Sequence, residues 1–197
     1  MQNNQTVEKH PLPPFFPAGA RLLMLGSFPP ARKRWKMEFY YPNLQNDMWR
    51  IFGLVFFRDR DYFLTADRRE FREERIREFL TEKGIAISDT AGEVIRQKGT
   101  ASDKFLQVVK TIPLEEVLTE LPDCRFLVTT GEKATDILSE LTGAGAPPVG
   151  GYTDLCYRER PLRLYRMPSS SRAYPKPLEE KAAVYAEMFR QTGIFTF

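Results

Sequence analysis

The residues able to do chemistry gather in four short stretches: Gly26-Ser27-Phe28-Pro29, Tyr40-Tyr41-Pro42-Asn43-Leu44-Gln45-Asn46, Ser88-Asp89 and Pro168-Ser169-Ser170-Ser171. Together they offer hydroxyls, amides, one carboxylate and several aromatic faces. Such a set can stack a planar heterocycle and hydrogen-bond its edge. What the chain lacks narrows the choice further. Its one histidine, His10, sits in a proline-rich stretch, which speaks against a Ser-His-Asp or Cys-His arrangement despite the three consecutive serines. No GxxxxGK(S/T) loop and no GxGxxG turn occur. Cys124 and Cys156 have no CxxC spacing, so they assemble no zinc or iron–sulfur site. Two stretches also have plain structural readings. Pro42 and Asn43 suit a bend, with Asn46 or Asp47 capping the helix that follows. Asp89, at a strand end, is read either as a general base or as a cap for the amides of Thr90 or Ala91.

The elements that must position these residues follow from apolar periodicity. Residues 21–25 form a short apolar run stopped by Gly26, as do residues 85–88 before Asp89, 125–130 before Gly131, and 162–166 before Met167. Helical spacing appears over residues 46–57, 67–83, 113–121, 132–141 and 177–191. Gly84 stops the second of these, and Pro113 opens the third. Strands alternating with helices predict an α/β fold: a three-layer α/β/α sandwich around a short, mostly parallel, four-stranded sheet. Residues 1–20, with Pro11, Pro13, Pro14 and Pro17, read as an extended arm, and 21–197 as one domain. A sheet of this kind binds ligands at the carboxyl ends of its strands, where Gly26-Ser27-Phe28-Pro29, Ser88-Asp89, Thr129-Thr130-Gly131 and Pro168-Ser169-Ser170-Ser171 fall.

Bulk properties exclude little but agree. The 197 residues are 42% hydrophobic with a formal charge of +3, an ordinary globular composition. The charge is unevenly spread: Arg32, Lys33, Arg34 and Lys36 crowd around Trp35 just after the first chemical stretch. The N-terminus lacks the basic, apolar and small-residue pattern of a signal peptide, and a disulfide is correspondingly disfavoured. No apolar run approaches a membrane span of about 20 residues. The expectation is a cytoplasmic, nucleoid-associated protein that needs no cofactor, no membrane and no obligate protein partner.

The order of these motifs resembles the uracil-DNA glycosylase superfamily, and most of all its hypoxanthine-DNA glycosylase branch. Leu25-Gly26-Ser27-Phe28-Pro29 is similar to the family's first turn, and Tyr40-Tyr41-Pro42-Asn43-Leu44-Gln45-Asn46-Asp47-Met48-Trp49 to its Tyr-Tyr block. Gly84-Ile85-Ala86-Ile87-Ser88-Asp89-Thr90 with Lys98-Gly99-Thr100-Ala101-Ser102-Asp103 looks like the second block. Thr130-Gly131-Glu132-Lys133-Ala134 resembles the third, and Met167-Pro168-Ser169-Ser170-Ser171-Arg172-Ala173 the last. The resemblance implies a glycosylase that hydrolyses the N-glycosidic bond of a deaminated base flipped out of DNA, hypoxanthine before uracil. It implies Asn46 as the catalytic residue. Base-binding positions are then Gly26, Ser27, Phe28, Pro29, Tyr41, Asn43, Ser88, Asp89, Pro168, Ser169 and Ser170. DNA contacts fall to Arg32, Lys33, Arg34, Ser171, Arg172 and Tyr174. No lysine stands in an obvious Schiff-base position, so a monofunctional enzyme is expected.

Three departures mark the pocket region. Phe28 stands where uracil-DNA glycosylases generally carry Asp or Asn, Ser88 where the family commonly has an aromatic, and Tyr174-Pro175 where smaller residues are usual. They leave two other readings: a catalytically weak nucleic-acid-binding module of the same fold, and a hydrolase of free nucleosides or nucleotides.

Overall fold

The structure is a computed structural model describing residues 6–97 and 105–195; the segment from Lys98 to Asp103 lies outside the described residues. The fold is mixed α/β. Strand β2 (Leu22–Gly26) is wholly buried and lies between β3 (Ile85–Asp89) and β6 (Phe126–Thr129), parallel to both. Strand β8 (Arg160–Arg166) continues the parallel set beside β6. Runs such as Leu-Leu-Met-Leu, apolar at every position, are what a strand covered on both faces requires. Alternate residues of β2 enter different cores. Leu22 and Met24 pack with α1 (Met48–Phe57), α2 (Glu73–Lys83) and α5 (Leu178–Gln191). Leu23 and Leu25 pack with α3 (Leu114–Glu120) and α4 (Glu132–Thr142).

The sequence predicts four strands in this sheet; the structure has five, in the order β3-β2-β6-β8-β7. The added strand, β7 (Tyr152–Tyr157), pairs antiparallel with β8 at the edge. Its hairpin turn is made by Arg158 and Glu159 at φ 49° and 64°. Such turns ordinarily advertise themselves by Asn or Gly, and here neither residue is present. A second, three-stranded sheet, β1-β4-β5, is also absent from the sequence reading. It joins β1 (Val7–Lys9), β4 (Ala91–Arg96) and β5 (Leu106–Thr111). The extended arm thus supplies β1 to β4, and further along Phe15 bridges Ile87 at the edge of the main sheet.

One helix start differs clearly from expectation. Helix α2 begins at Glu73 rather than near residue 67, because Thr65, Asp67 and Glu70 close a polar turn with Arg68 at φ 59°. Its end is as expected: Gly84 at φ 65° donates its N–H to the carbonyls of Leu80 and Thr81, a left-handed cap natural to glycine.

The parallel register brings the carboxyl ends together. Gly26 lies opposite Asp89, Leu25 opposite Thr129, and Thr129 opposite Arg166. The loops leaving those ends enclose the site.

Candidate active site

A cavity of about 1080 Å³ opens at this edge. Gly26, Ser27, Phe28, Pro29, Tyr41, Asn43, Asn46 and Asp89 line it, as do Pro168, Ser169, Ser170, Ser171, Arg172, Tyr174 and Arg34. Three residues named from the sequence do not. Ser88 is buried inside β3, where its hydroxyl donates to the Asp89 carbonyl at 3.4 Å. Arg32 and Lys33 are exposed on a 3-10 turn beside the cavity, and Arg32 pairs with Glu38 and stacks over Trp35 at 5.1 Å.

The floor is set by Gly26. A Cβ there would collide with Asp89 Oδ1 and lie 3.3 Å from the Tyr41 hydroxyl. A side chain is therefore excluded so that a carboxylate and a phenol can occupy the strand end. Tyr41 holds a left-handed backbone, φ 52°, a conformation a bulky residue adopts only when its surroundings enforce it. Its hydroxyl shares a 2.8 Å hydrogen bond with Thr130 Oγ1. Burial, reinforced by the charge of Asp89, pushes its pKa well up, so the phenol stays protonated.

The two readings of Asp89 are separated by where the nearby amides go. Thr90 N–H donates to the Gly26 carbonyl at 2.8 Å and Ala91 N–H to the Ser27 carbonyl at 3.1 Å, so neither is capped by Asp89. Its Oδ2 instead meets His10 Nε2 at 2.9 Å. His10 is the functional residue that sequence reasoning passed over. The two are 79 positions apart, and no local pattern joins them. Phe28 completes this wall, edge-on to the His10 ring at 5.1 Å.

Asn46 stands across the cavity. Its Oδ1 accepts the Met48 N–H at 2.9 Å, capping α1. Because an amide N–H can only donate, this contact identifies the oxygen and leaves the NH2 group to reach a ligand. The segment around Asn46 is zipped to the serine loop. Asn46 and Ser171 form an antiparallel bridge, Asp47 N–H donates to the Ser170 carbonyl at 2.8 Å, and Arg172 N–H to the Gln45 carbonyl at 3.2 Å. Beneath lies buried Asp47, met by Arg172 Nε at 3.0 Å, Lys181 Nζ at 3.4 Å and Arg50 at 4.0 Å. Lys181 also donates to the Ser171 carbonyl at 2.8 Å, and the Tyr185 hydroxyl to the Pro168 carbonyl at 3.0 Å. Three cations around one carboxylate leave a positive excess under the loop. Arg172 is thus an anchor as well as a rim charge.

Charges at the mouth are mixed: Lys133, Arg166 and exposed Arg34 stand with Glu132 and Asp136, and Arg166 lies 3.9 Å from Glu132. Among the described residues no group of three or more His, Cys, Asp or Glu could hold a metal ion. No helix there is long and apolar enough to cross a membrane.

No protein-family model matches the chain, and no curated protein matches it. Solved structures do. One is a solution NMR structure of a Methanosarcina acetivorans protein provisionally named a uracil DNA glycosylase. It aligns over 95% of this chain and 99% of its own, at a TM-score of 0.64 and 19% identity. At that identity the likeness establishes a shared fold, and the cavity just described is what this chain builds upon it.

Proposed function

We propose that this protein belongs to the uracil-DNA glycosylase superfamily and is a monofunctional DNA glycosylase. It hydrolyses the N-glycosidic bond of a deaminated base swung out of DNA, with hypoxanthine preferred over uracil. The observation that carries the reading is the meeting of Phe28, Asn46 and the 168–171 loop around one cavity large enough for a nucleobase. The fold of the Methanosarcina structure supports it, as do the apolar clusters on both sides of β2, which suit a three-layer α/β/α arrangement.

Chemistry follows from the donors and acceptors available. Bond cleavage leaves an oxocarbenium-like sugar, which a water captures at C1′ with release of a proton, and a base carrying negative charge, which takes up a proton from solvent. A site therefore gains most from donors aimed at the departing base. The NH2 of Asn46 is such a donor. The backbone N–H of Gly26 is held within the sheet, and that of Ser27 follows at the strand end, beside the base edge. The carboxylate of Asp89 accepts an N–H from the base, and Phe28 supplies a stacking face. Ser169 and Ser170 contact the nucleotide, while Arg34 and Arg172 attract phosphate. Extruding a mispaired base costs only about a few kcal/mol, which favours deaminated bases over normal pairs.

The test is excision of single modified bases from duplex and single-stranded oligonucleotides, scored as abasic sites. Asn46→Asp keeps an oxygen for the Met48 amide but removes the donor. Turnover is expected to fall about 100-fold or more, the magnitude of a lost transition-state donor, with DNA affinity largely kept. Asn46→Ala should add a stability loss of about 1 kcal/mol from the missing cap. An Asn46→Asp protein as active as the parent would remove Asn46 from catalysis.

A further inference from the structure

We infer that His10, delivered by the N-terminal arm, is a positioning residue of this cavity: as an imidazolium it fixes the Asp89 carboxylate at the strand end, so that the pocket accepts deaminated bases and rejects their parents. The inference rests on the base-excision reading and adds the group that enforces its selectivity.

Two short contacts to acceptor oxygens favour the charged ring. His10 Nε2 lies 2.9 Å from Asp89 Oδ2, and Nδ1 lies 2.9 Å from the Leu12 carbonyl oxygen. Both partners are acceptors, and a neutral ring carries one N–H. Only the doubly protonated ring satisfies both. The Leu12 amide is also 3.3 Å from Nδ1, but that contact needs a lone pair where the shorter one requires a proton. The ring is held on every side. Its backbone N–H donates to the Gly92 carbonyl at 2.8 Å, it meets Phe28 edge-on, and it stacks on Tyr40 at 5.9 Å. The side chains of the pair are 12% and 6% exposed, so solvent screens them little.

Few other charges face the pair. Arg96 of β4 lies 5.8 Å from the Phe28 ring but is paired with Glu8 at 3.2 Å. Arg77 of α2 stacks on Phe39, beside Tyr40. Burial, with the charge of Asp89, drives the pKa values of the Tyr40 and Tyr41 phenols upward and keeps both neutral. For His10 itself burial is the largest influence and opposes the charge. The Asp89 hydrogen bond and charge, with the Leu12 carbonyl, outweigh it and raise the pKa above 6.5.

A carboxylate accepts hydrogen bonds and donates none. Hypoxanthine carries a proton on N1 where adenine carries a lone pair, and uracil carries one on N3 where cytosine carries a lone pair. Asp89 Oδ1 therefore attracts the deaminated edge and opposes the parent edge. An arm residue distant in sequence thus supports the reading of the base.

The single histidine makes the test direct. Ring NMR of the full chain should show two protonated nitrogens and a midpoint above 6.5, shifted down in Asp89→Asn. Excision is then followed against pH on duplexes carrying one deoxyinosine or one deoxyadenosine. The parent should be most selective just below the His10 midpoint and lose efficiency as pH rises through it, since the charge-assisted contact that fixes Asp89 exists only with the protonated ring. His10→Gln keeps a neutral donor; it should flatten that profile and lower the deoxyinosine preference in kcat/KM about tenfold or more, the scale of a charge-assisted hydrogen bond. A neutral ring, a midpoint unmoved by Asp89→Asn, or a His10→Gln protein with the parent's profile and preference would overturn the inference alone. No product from any modified base would overturn the excision reading beneath it. If His10→Gln fails to fold, the ring titration of the parent and Asp89→Asn proteins still decides.

Discussion

At the scale of single residues, the site depends on groups that serve structure and chemistry together. Asn46 caps a helix with its oxygen and offers its NH2 to the cavity. Gly26 is required because its absent Cβ makes room for Asp89 and Tyr41. Gly26→Ala should displace the Asp89 carboxylate, cutting excision at least about tenfold, with a stability loss of about 1–3 kcal/mol from overpacking. Thermal melting read alongside abasic-site formation separates the two effects. The sequence pointed to Gly26, Asn46 and Asp89 because each ends a strand or opens a helix, places where a local pattern carries meaning. It left two roles open for Asp89, since only the partners of the Thr90 and Ala91 amides separate them. His10 was invisible for a physical reason: its role comes from the arm folding back along β4, and no periodicity records that path.

At the scale of elements, the carbonyls of the serine loop are held by Asp47, which precedes α1, and by Lys181 and Tyr185 of α5. Lys181, 1% exposed, joins Asp47 to the Ser171 carbonyl. Removing one member of a buried ion pair costs about 3–5 kcal/mol. Lys181→Met should cost toward the lower end, about 3 kcal/mol in denaturant unfolding, because Arg172 still faces Asp47. Excision should fall with it as the loop loses its anchor. Lys181 also shows a limit of pattern reading, since a lysine on an amphipathic helix is ordinarily solvated. Strands β2, β3, β6 and β8 were legible from their unbroken apolar runs. Strand β7 was not, because its alternation of exposed and half-buried residues ends in an Arg-Glu turn without a turn residue. Strands β4 and β5 were missed because polar and charged residues break their apolar runs at half-buried and exposed positions, with Gly92 interrupting the first.

At the scale of the whole molecule, parallel register gathers four strand ends into one mouth, where Arg34, Lys133, Arg166 and Arg172 stand beside Asp89, Glu132 and Asp136. Binding to DNA should weaken steeply with salt, since released counterions supply most of the affinity. Arg34→Ala should reduce the slope of log K against log salt by about 1, while leaving the order of preferred bases unchanged. A change in base preference would mean that Arg34 reads the base instead of the backbone. The central claim is that a base leaves the helix and enters this cavity. A crystal structure with a duplex carrying one 2′-fluoroarabino-inosine, which resists cleavage, tests it most directly. The expected result is hypoxanthine against Phe28, its N1–H on Asp89 and Asn46 beside it, with the 168–171 loop against the strand. A base still stacked in the duplex, or DNA seated on another face, would contradict the account.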